Sequence, residues 1–229
     1  MTALPLLLIP GMMCDARMWG RVPDALPCPV HHALPCEGET IADMAAAILR
    51  DAPRRFALAG LSMGGIVAME MLEQAHGRIE RIALMDTNPL AEAPAVQARR
   101  GPQIARALAG DLDGVMRDEM KPNYLADPTD TQTLDLCMDM ARALGPEVFR
   151  RQSLALKTRA DRTGTLRRFT GPALVLMGEH DRPCPRDRHA LMHALMPQSR
   201  FVVIAGAGHL PPLERPEPTA RALKEWLTS

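Results

Sequence analysis

The chain is poor in aromatic residues and carries no net charge. Phenylalanine, tryptophan and tyrosine make up 3 % of its 229 residues, and 27 Lys and Arg residues are balanced by 27 Asp and Glu residues. A balanced chain lacks the positive excess that binds nucleic acids, so we expect no nucleic acid partner. Because 16 methionines supply bulk in place of aromatic rings, an adaptable core with a methionine-lined pocket is expected.

Long apolar runs and a dense set of cysteines are also absent. The apolar run near the start is short, lies between two prolines and follows no basic residue, which predicts neither a secretory leader nor a membrane span. The five cysteines are odd in number and widely spaced, as expected for reduced thiols in a cytoplasmic protein. Cys28 and Cys36 flank two histidines, but their spacing is not typical of zinc sites and no metal is expected.

Short apolar runs do alternate with helical patterns. Six runs of four to six residues lack polar alternation, as expected of parallel strands covered on both faces. They lie at 4–9, 30–34, 56–61, 82–85, 173–177 and 201–205. Helical patterns occupy 40–51, 62–75, 186–195 and 216–227. This order predicts an α/β fold with an open, mostly parallel sheet whose ligands bind at the carboxyl ends of the strands.

The alternation stops between Thr87 and Thr170. This region contains helical stretches at 103–108, 112–120, 131–144 and 147–159, separated by Gly and Pro. We therefore predict a core of residues 1–87 and 170–229 with a helical cap inserted at 88–169. Because the insertion leaves the sheet at the edge where ligands bind, the cap would roof the site. The alternative is a packed helical subdomain with no role in access.

Ser62 lies in a Gly-x-Ser-x-Gly sequence that runs from Gly60 to Gly64. The sequence follows an apolar run and precedes a helical pattern. A strand that turns at once into a helix strains the residue at the turn and exposes its side chain, while flanking glycines make room. The free N–H groups of the next helix would stabilise negative charge there. The context favours Ser62 as a nucleophile, although the same pattern occurs by chance in loops.

A serine nucleophile needs a base and an acid that orients the base. His209 follows the last predicted strand in a glycine-rich turn, at the same sheet edge as Ser62, and is predicted as the base. The acid is predicted at Asp181, directly after the strand at 173–177. Asp86 and Glu179 are alternatives; we expect Asp86 to cap the turn that follows it. The helical histidines are expected at solvated surfaces: His76, His189 and His193.

A tetrahedral intermediate also requires two N–H donors. One is predicted at the backbone of Met63, which follows the nucleophile. The other is predicted at the backbone of Met12, in the loop after the first strand, where Gly11 permits close approach. The alternative for this loop is an ordinary turn.

Four segments together resemble the α/β-hydrolase superfamily: 9–13, 60–65, 178–181 and 206–209. The resemblance covers nearly the whole chain and is greatest to small bacterial carboxylesterases with a helical cap. It implies a sheet of about six strands, a triad of Ser62, His209 and Asp181, no cofactor and no metal. The chain order of these three residues favours Asp181 over Asp86. Many members carry His-Gly where this chain has Pro10-Gly11, which leaves the backbone donor in place.

The resemblance implies hydrolysis of a carboxylic ester through an acyl-enzyme. Arg182 is the one cation near the four segments, so a small, neutral substrate is expected. The predicted pocket residues are Met13, Trp19, Met116, Met120 and Met138, and ordinary packing is the alternative for those in the cap. Two other functions stay open: a carbon–carbon bond hydrolase or enol-lactonase acting on a ring-cleavage product, and a non-catalytic protein that binds a small ligand. We expect a monomer or homodimer.

Overall fold

The computed structural model describes residues 4–229, so the first three residues of the predicted core lie outside the described part. Six parallel strands form one sheet: β1 (Leu6–Ile9), β2 (Val30–His32), β3 (Phe56–Leu61), β4 (Ile79–Met85), β5 (Ala173–Gly178) and β6 (Arg200–Ile204). Their order is β2-β1-β3-β4-β5-β6. The predicted fold class is confirmed. Because β1 lies between β2 and β3, the chain adds β2 on one side of β1 and then adds β3 to β6 on the other side. In such folds ligands bind at the carboxyl ends of the strands where this order reverses, here between β1 and β3.

The helices cover both faces of the sheet or join its strands: α1 (Ile41–Asp51), α2 (Met63–Gln74), α3 (Pro94–Arg106), α4 (Leu112–Gly114), α5 (Thr131–Lys157), α6 (Thr163–Arg168), α7 (Arg186–Leu195), α8 (Pro211–Glu214) and α9 (Pro216–Thr228). Thr40 caps α1, because its hydroxyl accepts from the N–H of Asp43 at 3.0 Å. Within residues 4–229, no helix combines the length and apolar character needed to cross a membrane.

Side chains of the central strands divide between two core layers. Successive residues of a strand point to opposite faces, so a run without polar alternation fills both layers. One layer contains Leu7, Ile9, Phe56 and Leu58, together with residues of α1, α2 and α7. The other contains Leu6, Leu8, Ala57 and Ala59, together with Trp19 and Trp226. The sheet is thus fixed on both faces, and its loops are held at defined positions.

Each secondary-structure element in the segment between β4 and β5 is a helix. Helix α3 begins at Pro94, earlier than the predicted stretch at 103–108. Helix α5 joins two predicted stretches across a kink at Gly145, whose φ is 80°. Helix α6 belongs to the layer beside the sheet, since Thr165 and Arg168 both contact Glu73 of α2. The predicted insertion 88–169 therefore ends in a helix that packs on the core.

Candidate active site

Ser62 lies at the sharp turn between β3 and α2. Its backbone has φ 55° and ψ −117°, a conformation that residues other than glycine rarely adopt. Two hydrogen bonds hold it there: its N–H donates to the carbonyl of Met85 at 2.8 Å, and its carbonyl accepts from the Thr87 hydroxyl at 2.7 Å. The turn is strained and fixed, as predicted from the sequence.

The glycines around Ser62 are required by close backbone contacts. A Cβ atom on Gly60 would lie 2.2 Å from the carbonyl oxygen of Gly64. One on Gly64 would lie 2.0 Å from the carbonyl oxygen of Ile9. Both distances are far below van der Waals contact. The two glycines therefore let α2 start directly behind Ser62 and beside the loop that follows β1.

The structure brings His209 and Asp181 to Ser62, although 147 positions separate Ser62 from His209. Nε2 of His209 is 2.9 Å from Oγ of Ser62, and Nδ1 is 2.8 Å from Oδ1 of Asp181. His209 is 4 % exposed and Asp181 is 6 % exposed. This is the hydrogen-bond order that makes a hydroxyl nucleophilic: hydroxyl to imidazole, and imidazole to carboxylate.

The loop that carries His209 is held on both sides by Glu214 of α8. One carboxylate oxygen accepts from the N–H of Gly208 at 2.9 Å, and the other accepts from the N–H of Leu210 at 3.0 Å. The first oxygen also accepts from Ala126 at 2.8 Å. The N–H of His209 itself donates to the carbonyl of Tyr124 at 2.6 Å. These bonds fix the backbone from which the imidazole projects.

Asp181 is held in its ionised form by donors around it. Burial alone would raise its pKa, but the His209 ring and the N–H of Cys184, which donates to Oδ1 at 3.0 Å, hold the pKa of Asp181 below its ordinary value. A carboxylate in this state accepts from Nδ1–H of His209 and stabilises the charged imidazole.

Asp86, the alternative acid, contacts Asp181 and not His209. Its Oδ1 accepts from the N–H of Gly178 at 2.8 Å, so it does not cap the turn after it, and that expectation is corrected. Its backbone has φ 45°, which directs the side chain across to β5. Complete burial, followed by the charge of Asp181, raises the pKa of Asp86 well above its ordinary value. Donation from a protonated Asp86 to Asp181, whose Oδ2 is buried without a partner among residues 4–229, would support Asp181 from behind.

The two predicted oxyanion donors both line the cavity that contains Ser62. No hydrogen bond from the backbone N–H of Met12 or Met63 to another group is found within the described part of the chain. The loop of Met12 is held by Gln152 of α5, which is fully buried. The Gln152 amide oxygen accepts from the N–H of Met13 at 2.9 Å, and its amide nitrogen donates to the carbonyl of Pro35 at 3.1 Å.

A cavity of about 650 Å³ opens in front of Ser62 and His209. Of the predicted pocket residues, Met120 lines it, together with Met12, Met63 and Tyr124. The other four predictions need correction. Met13, Trp19 and Met116 are at most 1 % exposed and pack into the core layers. Met138 faces a separate cavity of about 350 Å³. Met13 turns into the core because its φ is 54° and its N–H is tied to Gln152.

Comparison with known proteins identifies the family. A model of the alpha/beta hydrolase family matches residues 6–222. The chain belongs to the alpha/beta hydrolase family. The resemblance stated from the motifs is confirmed.

Relatives within the alpha/beta hydrolase family include named esterases. A pimeloyl-(acyl-carrier protein) methyl ester esterase of Photobacterium profundum is 26 % identical over 205 residues, which cover 86 % of this chain and 80 % of that protein. A thermophilic esterase from Thermogutta terrifontis, solved with malate bound, is 28 % identical with a TM-score of 0.89 and covers 99 % of this chain and 90 % of its own. The enol-lactonase from Burkholderia xenovorans LB400 has a TM-score of 0.87 at 23 % identity, covering 100 % and 93 % of the two chains; this likeness concerns the fold.

Among residues 4–229 of this hydrolase, two groups of three side chains have metal-ligating atoms close together: Asp181 with Cys184 and His209, and Asp86 with Asp181 and His189. Both use Asp181, whose Oδ1 already accepts from His209 and from the N–H of Cys184. The first group uses residues of the hydrogen-bonded chain at Ser62, and the second lies directly behind it. Both groups therefore overlap the hydrogen-bonded residues at Ser62 and do not form a separate site.

Sequence reasoning missed several groups that hold or line the site. Glu214 and Gln152 fix two loops, but a single Glu or Gln in a helical pattern gives no signal of that role. His189 was expected at the surface, yet it is fully buried and its Nε2 accepts from the N–H of Thr87 at 3.3 Å. Burial lowers the pKa of His189. The signal available in the sequence was the position of His189 on the face of α7 that packs against the sheet.

The cavity wall is also more charged than the motif segments indicate. Five arginines and two glutamates line it: Glu92, Arg99, Arg100, Glu119, Arg159, Arg182 and Arg188. All of them belong to the segment between β4 and β5 or follow β5, outside the motif that contains Ser62. The expectation of a neutral substrate rested on the motif segments alone, and these side chains argue against it.

Proposed function

We propose that this chain is a serine hydrolase that cleaves a small carboxylic ester through an acyl-enzyme intermediate. Oγ of Ser62 attacks the ester carbonyl carbon while Nε2 of His209 takes its proton. Asp181 keeps Nδ1–H in place and stabilises the imidazolium. The backbone N–H groups of Met12 and Met63 donate to the carbonyl oxygen as it becomes negative, which lowers the barrier of this step.

Breakdown of the tetrahedral intermediate expels the alcohol. The alcohol takes the proton from Nε2 of His209, and the acyl group stays on Oγ of Ser62. A water molecule then gives a proton to the same nitrogen and attacks the acyl carbon. As the bond from the acyl carbon to Oγ breaks, Nε2 returns that proton to Oγ, which releases the carboxylic acid and restores the serine. Each step uses side chains and backbone groups of this chain together with the substrate and water.

One observation carries the proposal. The continuous hydrogen-bond chain from Ser62 through His209 to Asp181, with contacts of 2.9 and 2.8 Å, stands at the wall of a cavity large enough for a small ester. The relatives named as esterases support ester hydrolysis as the reaction. The five free cysteines support a reducing compartment, in agreement with the cytoplasmic location predicted from the sequence; the oligomeric state stays a prediction.

We assign the cap role to the part of residues 88–169 that lines the cavity. Met120, Tyr124 and Leu156 from this segment line the cavity that contains Ser62. Exclusion of bulk water there strengthens the hydrogen bonds to the reacting oxygen. Helix α6 lies outside this role because it packs on α2.

Hydrolysis assays on purified protein test the proposal. Short-chain methyl and p-nitrophenyl esters should be turned over, and Ser62→Ala and His209→Ala should each lower kcat by at least about 10³-fold. His193→Ala, a substitution on the outer helix α7, is the matched control and should keep full activity. Retained activity in Ser62→Ala would contradict the nucleophile assignment.

The alternatives predict other profiles in the same assay. Negligible ester turnover with rapid consumption of a dienoate or enol-lactone would favour the carbon–carbon bond hydrolase or enol-lactonase. No turnover of any substrate by folded protein would favour the non-catalytic binding role.

A further inference from the structure

Two buried arginines in the cavity wall share a single carboxylate. Nε and Nη2 of Arg100 donate to the two oxygens of Glu92 at 3.0 and 2.9 Å, and Nη1 of Arg159 donates to one of them at 2.7 Å. The side chains of both arginines are 10 % exposed and that of Glu92 is 2 % exposed. We call these three residues the arginine cluster. It holds one unbalanced positive charge away from water, which is costly unless another anion compensates it.

The donors of the arginine cluster are not all used within the protein. Nε of Arg159 donates to the carbonyl of Leu90 at 3.0 Å. Nη1 of Arg100, by contrast, has the sulfur of Met12 at 3.5 Å as its contact, and a thioether is a weak acceptor. No oxygen acceptor for this nitrogen is found in residues 4–229. The nitrogen therefore faces the residue whose backbone N–H would bind the reacting carbonyl oxygen.

The rest of the cavity wall does not supply the missing anion. Beyond the arginine cluster, the charged residues of the wall are Arg99, Arg182, Arg188 and Glu119. Glu119 is already paired, since it accepts from Gln103 at 2.9 Å and from Arg106 at 2.5 Å. The five arginines thus exceed the two glutamates by three positive charges in the cavity that contains Ser62.

We propose that the ester substrate carries a carboxylate, a few bonds from the reacting carbonyl, that binds Arg100 and Arg159. This inference rests on the proposed ester hydrolysis and names its substrate class. The Nε and Nη2 fork of Arg100 is occupied by Glu92, but Nη1 remains for the substrate, and charge-assisted hydrogen bonds from a guanidinium to a carboxylate are the stronger ones. A singly charged carboxylate also balances the single excess charge of the arginine cluster.

A pair of matched substrates tests the inference. Methyl butyrate and monomethyl succinate have the same leaving group and the same number of acyl carbons, and only the second has a carboxylate. We expect kcat/KM of the wild-type enzyme to be at least about tenfold higher for monomethyl succinate. Equal or preferred turnover of methyl butyrate would overturn the inference and leave the ester hydrolysis intact.

Charge-removing variants assign the preference to the arginine cluster. In Arg100→Gln, Glu92 keeps Arg159 as a partner, and in Arg159→Gln it keeps Arg100. Each variant should lower the succinate-to-butyrate ratio of kcat/KM about tenfold. Arg142→Gln removes a charge from α5 outside the cavity and should leave the ratio unchanged. A ratio unaffected in both cavity variants would contradict the assignment.

Binding to the inactive Ser62→Ala protein provides a measurement that needs no turnover and no arginine variant. Calorimetric titration should show that monomethyl succinate binds at least about tenfold more tightly than methyl butyrate. Equal affinity for the two esters would overturn the inference. If neither ester is hydrolysed by folded wild-type protein but monomethyl succinate is still bound more tightly, the proposed reaction fails while the charge recognition stands.

Discussion

Two aspartates stand behind His209, and they differ in charge. Asp181 receives hydrogen bonds from the His209 ring and from the N–H of Cys184, whereas Asp86 receives one from the N–H of Gly178. In each carboxyl group, Oδ2 is buried without a partner among residues 4–229. A proton on Asp86 lets one of these oxygens donate to the other. We therefore propose Asp181 as the ionised acid of the triad and Asp86, whose pKa burial raises, as a neutral positioning residue.

Exchange of each aspartate for asparagine separates the two roles. Asp181→Asn replaces the acceptor that fixes the His209 tautomer and should lower kcat by about 10³- to 10⁴-fold. Asp86→Asn places an NH₂ group where a protonated carboxyl donates, so its kcat should fall far less. Steady-state kinetics of both variants measures this. A larger loss in Asp86→Asn would transfer the acid role to Asp86.

The stability of Asp86→Asn relative to wild type should depend on pH. Burial raises the pKa of Asp86 in the folded state above the ordinary value of 3.8 that it has in the unfolded chain. Folding then takes up a proton, so the contribution of Asp86 is complete below pH 3.8 and is lost as pH rises toward the folded-state pKa. Asparagine has no such loss.

Urea unfolding between pH 4 and 8 measures this difference. The free energy of unfolding of Asp86→Asn minus that of wild type should increase with pH, by at most about 1.4 kcal/mol per pH unit. A difference that does not change with pH would mean that Asp86 has the same charge in the folded and unfolded states.

At the scale of elements, the loops at the carboxyl ends of the strands owe their positions to neighbouring helices. Glu214 of α8 holds the loop after β6 through the N–H groups of Gly208 and Leu210. Gln152 of α5 holds the loop after β1 through the N–H of Met13. A catalytic group on a loop needs such support, because small displacements of the reacting atoms reduce the rate strongly.

Removal of the Glu214 carboxylate should loosen the His209 loop. Glu214→Ala leaves three backbone N–H groups without their acceptor and should lower the free energy of unfolding by about 2 to 4 kcal/mol. kcat should fall together with stability because the imidazole is less well held. Glu217→Ala, at an exposed position of α9, is the matched control. Equal behaviour of the two variants in unfolding and kinetics would exclude a positioning role for Glu214.

The elements were predictable to different degrees. Buried strands such as β3 and β5 carry continuous apolar runs, and helices such as α1 carry a cap, so their positions follow from local patterns. Helix α3 was predicted too short because its first turns are polar and start at Pro94. Helix α5 was predicted as two stretches because Gly145 and Pro146 interrupt the pattern, while tertiary packing carries the helix across the kink.

At the scale of the whole molecule, the fold brings three distant segments to one edge of the sheet. Parallel strands end on the same side, so a residue directly after β3, β5 or β6 reaches a common site. This rule made Ser62, Asp181 and His209 predictable as neighbours. The cavity wall was not predictable in the same way, because Arg100 and Arg159 line the same cavity as Ser62 only through the placement of α3 and of the loop after α5.

The central claim is that His209 makes the hydroxyl of Ser62 a nucleophile. Reaction of the folded protein with a fluorophosphonate, followed by intact-mass analysis and peptide mapping, tests it most directly. The account predicts a single adduct on Ser62 that forms at least about 10²-fold more slowly in His209→Ala. Absence of an adduct on folded wild-type protein, or an adduct elsewhere with Ser62 unmodified, would contradict it.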